Sequence, residues 1–128
     1  MKNVLVTGGA GYLGSLLCGD LLNLDYKVTI LDKFKFGVSS ILHIIDKKNL
    51  TVIRGDIRDS SNQSLLKKFD IIINLAGIVG YPACDEDRWE ATSVNVDAVK
   101  EMSKMLSPNQ LFIQPSTGSS YGKVNDIC

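Results

Sequence analysis

Cysteine and proline are scarce in this chain, with three of each, and there is one tryptophan and one histidine. Three thiols cannot all pair. Cys18, Cys84 and Cys128 show neither the even count of a disulfide framework nor the close spacing of a metal site. The expectation is reduced thiols in a cytosolic protein. An excess of charge is lacking too, since Lys+Arg and Asp+Glu both number 14. Nothing in that balance points to nucleic acid or to an anionic membrane. No apolar run approaches a membrane span. The N-terminal run is broken by glycines almost at once, unlike a secretory leader. Without repeats, linkers or low-complexity tracts, residues 1–128 read as one domain. A chain of this length buries about two-thirds of its unfolded surface, enough for an ordinary core.

What the chain does have is glycine in one telling place. Thr7-Gly8-Gly9-Ala10-Gly11-Tyr12-Leu13-Gly14 lies between the apolar run Val4-Leu5-Val6 and a segment with Leu13, Leu16, Leu17 and Leu21 at helical spacing. The order is strand, glycine turn, helix. Gly9, Gly11 and Gly14 satisfy G-x-G-x-x-G in the context that motif needs. One glycine permits the turn, one lets backbone approach a pyrophosphate, and one allows close helix–strand packing. The unpaired amides of the helix start then face the anion. A βα turn that binds nothing is the bland alternative. Against it stands Asp32, which ends the next apolar run 18 residues past Gly14. That is close to the separation of about 20 expected for a ribose-binding carboxylate. A phosphate-binding NTPase loop is excluded, because no Gly-Lys-Ser/Thr follows the glycines.

Along the chain, strands are expected over Lys2–Val6, Lys27–Leu31, Leu50–Arg54, Asp70–Asn74 and Leu111–Gln114. Helices are expected over about Gly11–Asn23, Asn62–Lys68 and, as one long element, Glu86–Leu106. A shorter helix over Ile41–Ile45 would be capped by Ser39 or Ser40 and would carry His43 as a packing or surface residue. Asp25 stands where a left-handed residue ends the first helix. Pro82 should keep its segment out of a helix, and Asp85 is the candidate cap of the long one. Ser116–Gly122 reads as a loop. Alternating strands and helices give an α/β fold, a Rossmann-type doubly wound parallel sheet of order 3-2-1-4-5. Gly55-Asp56-Ile57-Arg58-Asp59, Leu75-Ala76-Gly77 and Ser116–Gly122 then fall at carboxyl ends of strands, where ligands bind in such sheets.

These segments together resemble the extended short-chain dehydrogenase/reductase family, in its nucleotide-sugar epimerase and dehydratase branch, over essentially the whole chain. The glycine stretch is similar to that family's T-G-G-x-G-[FY]-[IL]-G loop, which places Gly8, Gly11, Tyr12, Leu13 and Gly14 against the cofactor. Asp32 matches the carboxylate that holds the adenosine ribose and disfavours a 2′-phosphate, implying NAD. Lys33 and Lys35 beside it are the kind of cation an NADP site uses. Asp56 and Ile57 match the pair that meets the adenine, although an Asx turn alone would explain Asp56. Leu75, Ala76 and Gly77 match the small-residue turn beside the cofactor's ribose and phosphates. Val79 stands where many members carry lysine. Asn95 resembles the helix asparagine of V-N-V-x-G-T, after which Asp97-Ala98-Val99 departs from the pattern; a purely structural bond is its other explanation. Thr117 aligns with the catalytic Ser/Thr of S-[ST]-x-x-x-Y-G, with Pro115 a departure. Tyr121 is not the catalytic tyrosine, since a Tyr-x-x-x-Lys starting there would need lysine at Asn125.

The resemblance implies oxidation of a sugar hydroxyl to a keto intermediate by hydride transfer to NAD, with a lysine-assisted tyrosine taking the proton. In the family that Tyr-x-x-x-Lys pair and the nucleotide-sugar-binding part follow the Ser/Thr loop. The expectation is therefore the N-terminal, NAD-binding part of a longer epimerase or dehydratase, inactive by itself and acting on a nucleotide sugar when complete. A homodimer through the fourth helix is also implied. Two alternatives remain: a non-catalytic dinucleotide sensor, and a related reductase of a small carbonyl substrate.

Overall fold

The computed structural model describes residues 1–122. Five strands, β1 (Asn3–Thr7), β2 (Lys27–Asp32), β3 (Leu50–Arg54), β4 (Ile71–Asn74) and β5 (Leu111–Ile113), form one parallel sheet of order β3-β2-β1-β4-β5. β1 lies at its centre, with Val6 in register with Ile30 on one side and Ile73 on the other. The pleat sends alternate side chains to opposite faces. Val4 and Val6 pack with Val28, Ile30, Cys18 and Leu22 on one face. Leu5 packs with Leu31, Ile72, Val94, Ala98 and Met102 on the other. Each fully buried aliphatic side chain contributes about 1.5–3 kcal/mol, so the two half-cores hold the sheet flat against its helices. Burial also pushes the Cys18 thiol up to about 12.

The first helix, α1 (Tyr12–Asn23), is where expected, and Asp25 ends it with φ 60°. Its buried face takes in only part of the leucine pattern, Leu17 and Leu21, which pack against the core. Gly14, Ser15, Cys18 and Leu22 are buried, while Leu13 and Leu16 are exposed. The cause is Gly14, whose missing side chain draws that stripe of α1 onto the glycine loop. After β2 the expected helix over Ile41–Ile45 is a 3-10 turn, Ser39–Ile41, with no side-chain cap. Ser40 instead donates to the carbonyl of Ala10, at 2.6 Å. Between β3 and β4 run α2 (Ser60–Ser64) and a 3-10 turn, Leu65–Lys68.

The expected single helix over Glu86–Leu106 is broken. α3 (Tyr81–Glu86) comes first, and Pro82 sits in its opening turn, where its lacking N–H is no loss. Pro82 therefore begins a helix that it was expected to prevent. Gly80 precedes it at φ 92°. Asp87 turns the chain and caps α4 (Arg88–Thr92), accepting from the Glu90 amide at 2.8 Å, so the cap is Asp87 and not Asp85. A π turn, Ser93–Asp97, joins α4 to α5 (Ala98–Met105). β5 stops at Ile113, and a 3-10 turn over Gly118–Tyr121 lies within the segment expected to be a loop. Asn125 and Cys128 lie outside the described residues. No described helix is long and apolar enough to cross a membrane.

Candidate cofactor site

The glycine loop joins the carboxyl end of β1 to the start of α1. Gly8 has φ 67°, and a Cβ there would lie 2.7 Å from the Ala76 nitrogen. Only glycine fits a backbone that is both left-handed and pressed against the turn after β4. A Cβ on Gly14 would collide with the Gly8 carbonyl, and one on Gly9 would lie 2.8 Å from the Ile30 side chain. Gly9 therefore serves packing, and the spacing through Gly8, Gly11 and Gly14 is the one the geometry uses. Gly11 caps α1 without a side-chain bond. A Cβ on it would meet only the Gly8 carbonyl, at 3.2 Å. The first-turn amides of α1 thus begin beside bare backbone.

The loop is wired to β2 through Asp32. Its carboxylate accepts from the Ala10 amide at 3.0 Å and from the Phe34 amide at 2.8 Å. An ionised carboxylate offers about four acceptor positions, so these two bonds leave room for hydroxyl donors. Phe34 is held at φ 56°, an unusual conformation for a bulky residue, by that bond and by the Gly37 amide on its carbonyl at 3.2 Å. A second link runs beneath the loop. Buried Thr7 and Asn74 are hydrogen-bonded through their side chains, and Asn74 donates to Gln114 at 2.7 Å. The Thr7 hydroxyl also accepts from the Ala76 amide at 3.2 Å. The carboxyl ends of β1, β4 and β5 are locked together in this way.

Above these ends opens a cleft of about 270 Å³. Gly8, Ala10, Gly11, Asp32, Gly55, Asp56, Ile57, Leu75, Ala76 and Gly77 line it, as do Lys33, Lys35 and Glu90. Seven predicted site residues therefore meet around one cavity with Gly8: Gly11, Asp32, Asp56, Ile57, Leu75, Ala76 and Gly77. Tyr12 and Leu13 project outward, so only their backbone serves the loop, and Gly14 acts through packing. Asn95 lies outside the lining. Its amide accepts from the Ile78 N–H and donates to the Ile78 carbonyl, both at 2.8 Å, which fixes the chain leaving β4. Thr117 is exposed on the segment beyond β5 and is absent from the lining.

Sequence reasoning named Lys33, Lys35 and Asp56 but missed how the charges at the mouth pair with Arg58 and Glu90. Arg58 grips Asp56 through Nε and Nη2, the shorter contact being 2.6 Å, and donates to Ser93 at 3.0 Å. The Arg58 guanidinium holds the Asp56 carboxyl down to about 2, and Asp56 in turn holds Arg58 above its ordinary value. Arg58 also lies 6.0 Å from the Trp89 ring centre, within reach of a cation–π contact. Lys33 bridges Asp56 at 3.3 Å and Glu90 at 3.2 Å. Asp56 also accepts the Arg58 amide at 2.9 Å, so the Asx turn is present whatever else Asp56 does. The signal for Asn74 was available as a polar residue closing Ile71-Ile72-Ile73. The signal for Glu90 was not, because it approaches Lys33 only through space.

A parallel sheet with a glycine loop at its first crossover and a carboxylate ending its second strand defines a dinucleotide-binding Rossmann domain. The sequence matches the NAD dependent epimerase/dehydratase family over residues 4–127, and the chain belongs to that family. It is 33% identical over 124 residues to the UDP-N-acetyl-alpha-D-glucosaminuronate decarboxylase of Bacillus cytotoxicus, covering 95% of this chain and 38% of that protein. In structure it resembles the UDP-N-acetylglucosamine 4-epimerase of Methanobrevibacter ruminantium in complex with UDP-N-acetylmuramic acid (TM-score 0.87, 30% identity, 98% of this chain and 41% of that one). It also resembles the UDP-glucuronic acid 4-epimerase of Bacillus cereus with UDP-glucuronic acid and NAD bound (TM-score 0.84, 29% identity, 98% and 43%). The chain thus spans about two-fifths of the length of these proteins.

Proposed function

We propose that this chain is the cofactor-binding part of an NAD-dependent nucleotide-sugar epimerase or dehydratase. One observation carries the proposal: a glycine loop kept bare by close packing, hydrogen-bonded to Asp32, and open to a cleft at the carboxyl ends of the strands. The first amides of α1 receive the pyrophosphate. Asp32 keeps acceptor capacity for the ribose hydroxyls, and Asp56 and Ile57 border the adenine. Leu75, Ala76 and Gly77 leave space for the ribose and phosphates, and Asn95 supports that wall through Ile78. When bound, the nicotinamide supplies the hydride acceptor. Thr117 would donate a hydrogen bond to the sugar's reacting oxygen. The substrate class comes from the family and from the nucleotide sugars named for its relatives.

Free Cys18 and Cys84 accord with a reducing, cytosolic setting. A homodimer through the helical segments from α4 to α5 completes the picture. The test is calorimetric titration of NAD into wild type and Asp32→Ala. At least about tenfold weaker binding is expected for the variant, from about 1.4 kcal/mol lost with a charged acceptor. Equal affinity in the two proteins contradicts the assignment.

A further inference from the structure

Lys33 directly follows the ribose carboxylate Asp32 and lines the cleft, so its ammonium stands where it would attract a phosphate on the ribose 2′ position. An ammonium has three donors and no acceptor. In this fold two acidic side chains claim it, Asp56 at 3.3 Å and Glu90 at 3.2 Å. These partners come from different elements. Asp56 follows β3, whereas Glu90 reaches in from α4. Arg58, the other cation at the mouth, is committed to Asp56, Ser93 and, at 3.7 Å, Glu90. Lys35 also lines the cleft and makes no ion pair among the described residues.

Resting on the dinucleotide assignment above, the geometry points to Glu90 as a specificity-determining residue that keeps the site selective for NAD over NADP by withholding Lys33 from a 2′-phosphate. A 2′-phosphate carries close to two negative charges at neutral pH. To bind, it must draw Lys33 from Glu90 and accept a carboxylate nearby as a like charge. Two ribose hydroxyls make no such demand, because they need an acceptor, which Asp32 provides. Removing the Glu90 charge leaves Lys33 with one carboxylate partner and lowers the repulsion on the phosphate. Asp56 remains tied by Arg58 and continues to neutralise part of the lysine.

The experiment measures binding of NAD and NADP to the full 128-residue chain in wild type, Glu90→Gln and Glu90→Ala, each checked for folding by circular dichroism. Both variants are expected to move the affinity ratio toward NADP by about fivefold, the scale of one partly exposed ion pair. Adding Lys33→Ala to either variant should move the ratio back toward that of wild type. Reversal by Lys35→Ala instead of Lys33→Ala overturns the inference. So does an unchanged ratio in both variants while wild type binds NAD. Wild type binding neither dinucleotide overturns the cofactor assignment itself, a different outcome from loss of selectivity alone.

Discussion

Single residues in the glycine loop act by what they lack. Gly14 is the sharpest case, because a methyl group there would enter the Gly8 carbonyl and α1 would have to lift from the loop. Gly14→Ala is expected to cost about 1–3 kcal/mol, the usual penalty of overpacking, read as a lower urea midpoint with unchanged slope. Asp56 acts by charge. Arg58 holds its folded value near 2, against an ordinary value of 3.8. The contact therefore stabilises the fold fully above about pH 4, and that contribution is lost as pH falls through about 2. Urea midpoints of wild type and Asp56→Asn, followed over this range, should converge with acidification. A constant gap down to pH 2 contradicts the depressed value.

Elements were legible where one periodicity ruled them. All five strands and α1 fall within a residue or two of their expected places, because short apolar runs bounded by turn residues and a glycine turn are local signals. The helical region before β5 was not. Glu86–Leu106 has continuous helical composition, but Asp87 and the π turn divide it; the first break is a local cap, Asp87 accepting from the Glu90 amide, and the second is tied to a segment remote in sequence. Asn95 shows this best. Its amide sits in the π turn and closes both polar groups of Ile78, 17 residues away. Asn95→Ala should speed amide hydrogen exchange at Ile78 about fivefold, from about 1 kcal/mol for a lost hydrogen bond, with little change elsewhere. Exchange at Ile78 that stays as slow as in wild type would show that other contacts fix the turn. On α1, Leu17 and Leu21 of the leucine spacing pack against the core beside buried Cys18 and Leu22, whereas Leu13 and Leu16 are exposed.

At the scale of the molecule, the sheet order gathers residues far apart in sequence at one rim. The glycine loop, Asp32, Asp56, Ile57 and the turn after β4 line one cleft because β3, β2, β1 and β4 are successive neighbours. Motif spacing made that convergence readable beforehand. The Lys33–Asp56–Glu90–Arg58 cluster was unreadable because no spacing rule relates β3 to α4. β3 and β5 form the two edges of the sheet, and Val52, Leu111 and Ile113 on them are partly exposed. The relatives extend well beyond the two-fifths of their length matched here. Binding of NAD at the glycine loop is tested most directly by titrating it into uniformly ¹⁵N-labelled protein and following each backbone amide. Saturable shifts are predicted to be largest at Gly11, Tyr12, Leu13 and Gly14, with smaller ones at Asp32 and Ile57. Shifts centred elsewhere, or none at millimolar NAD, would contradict the account.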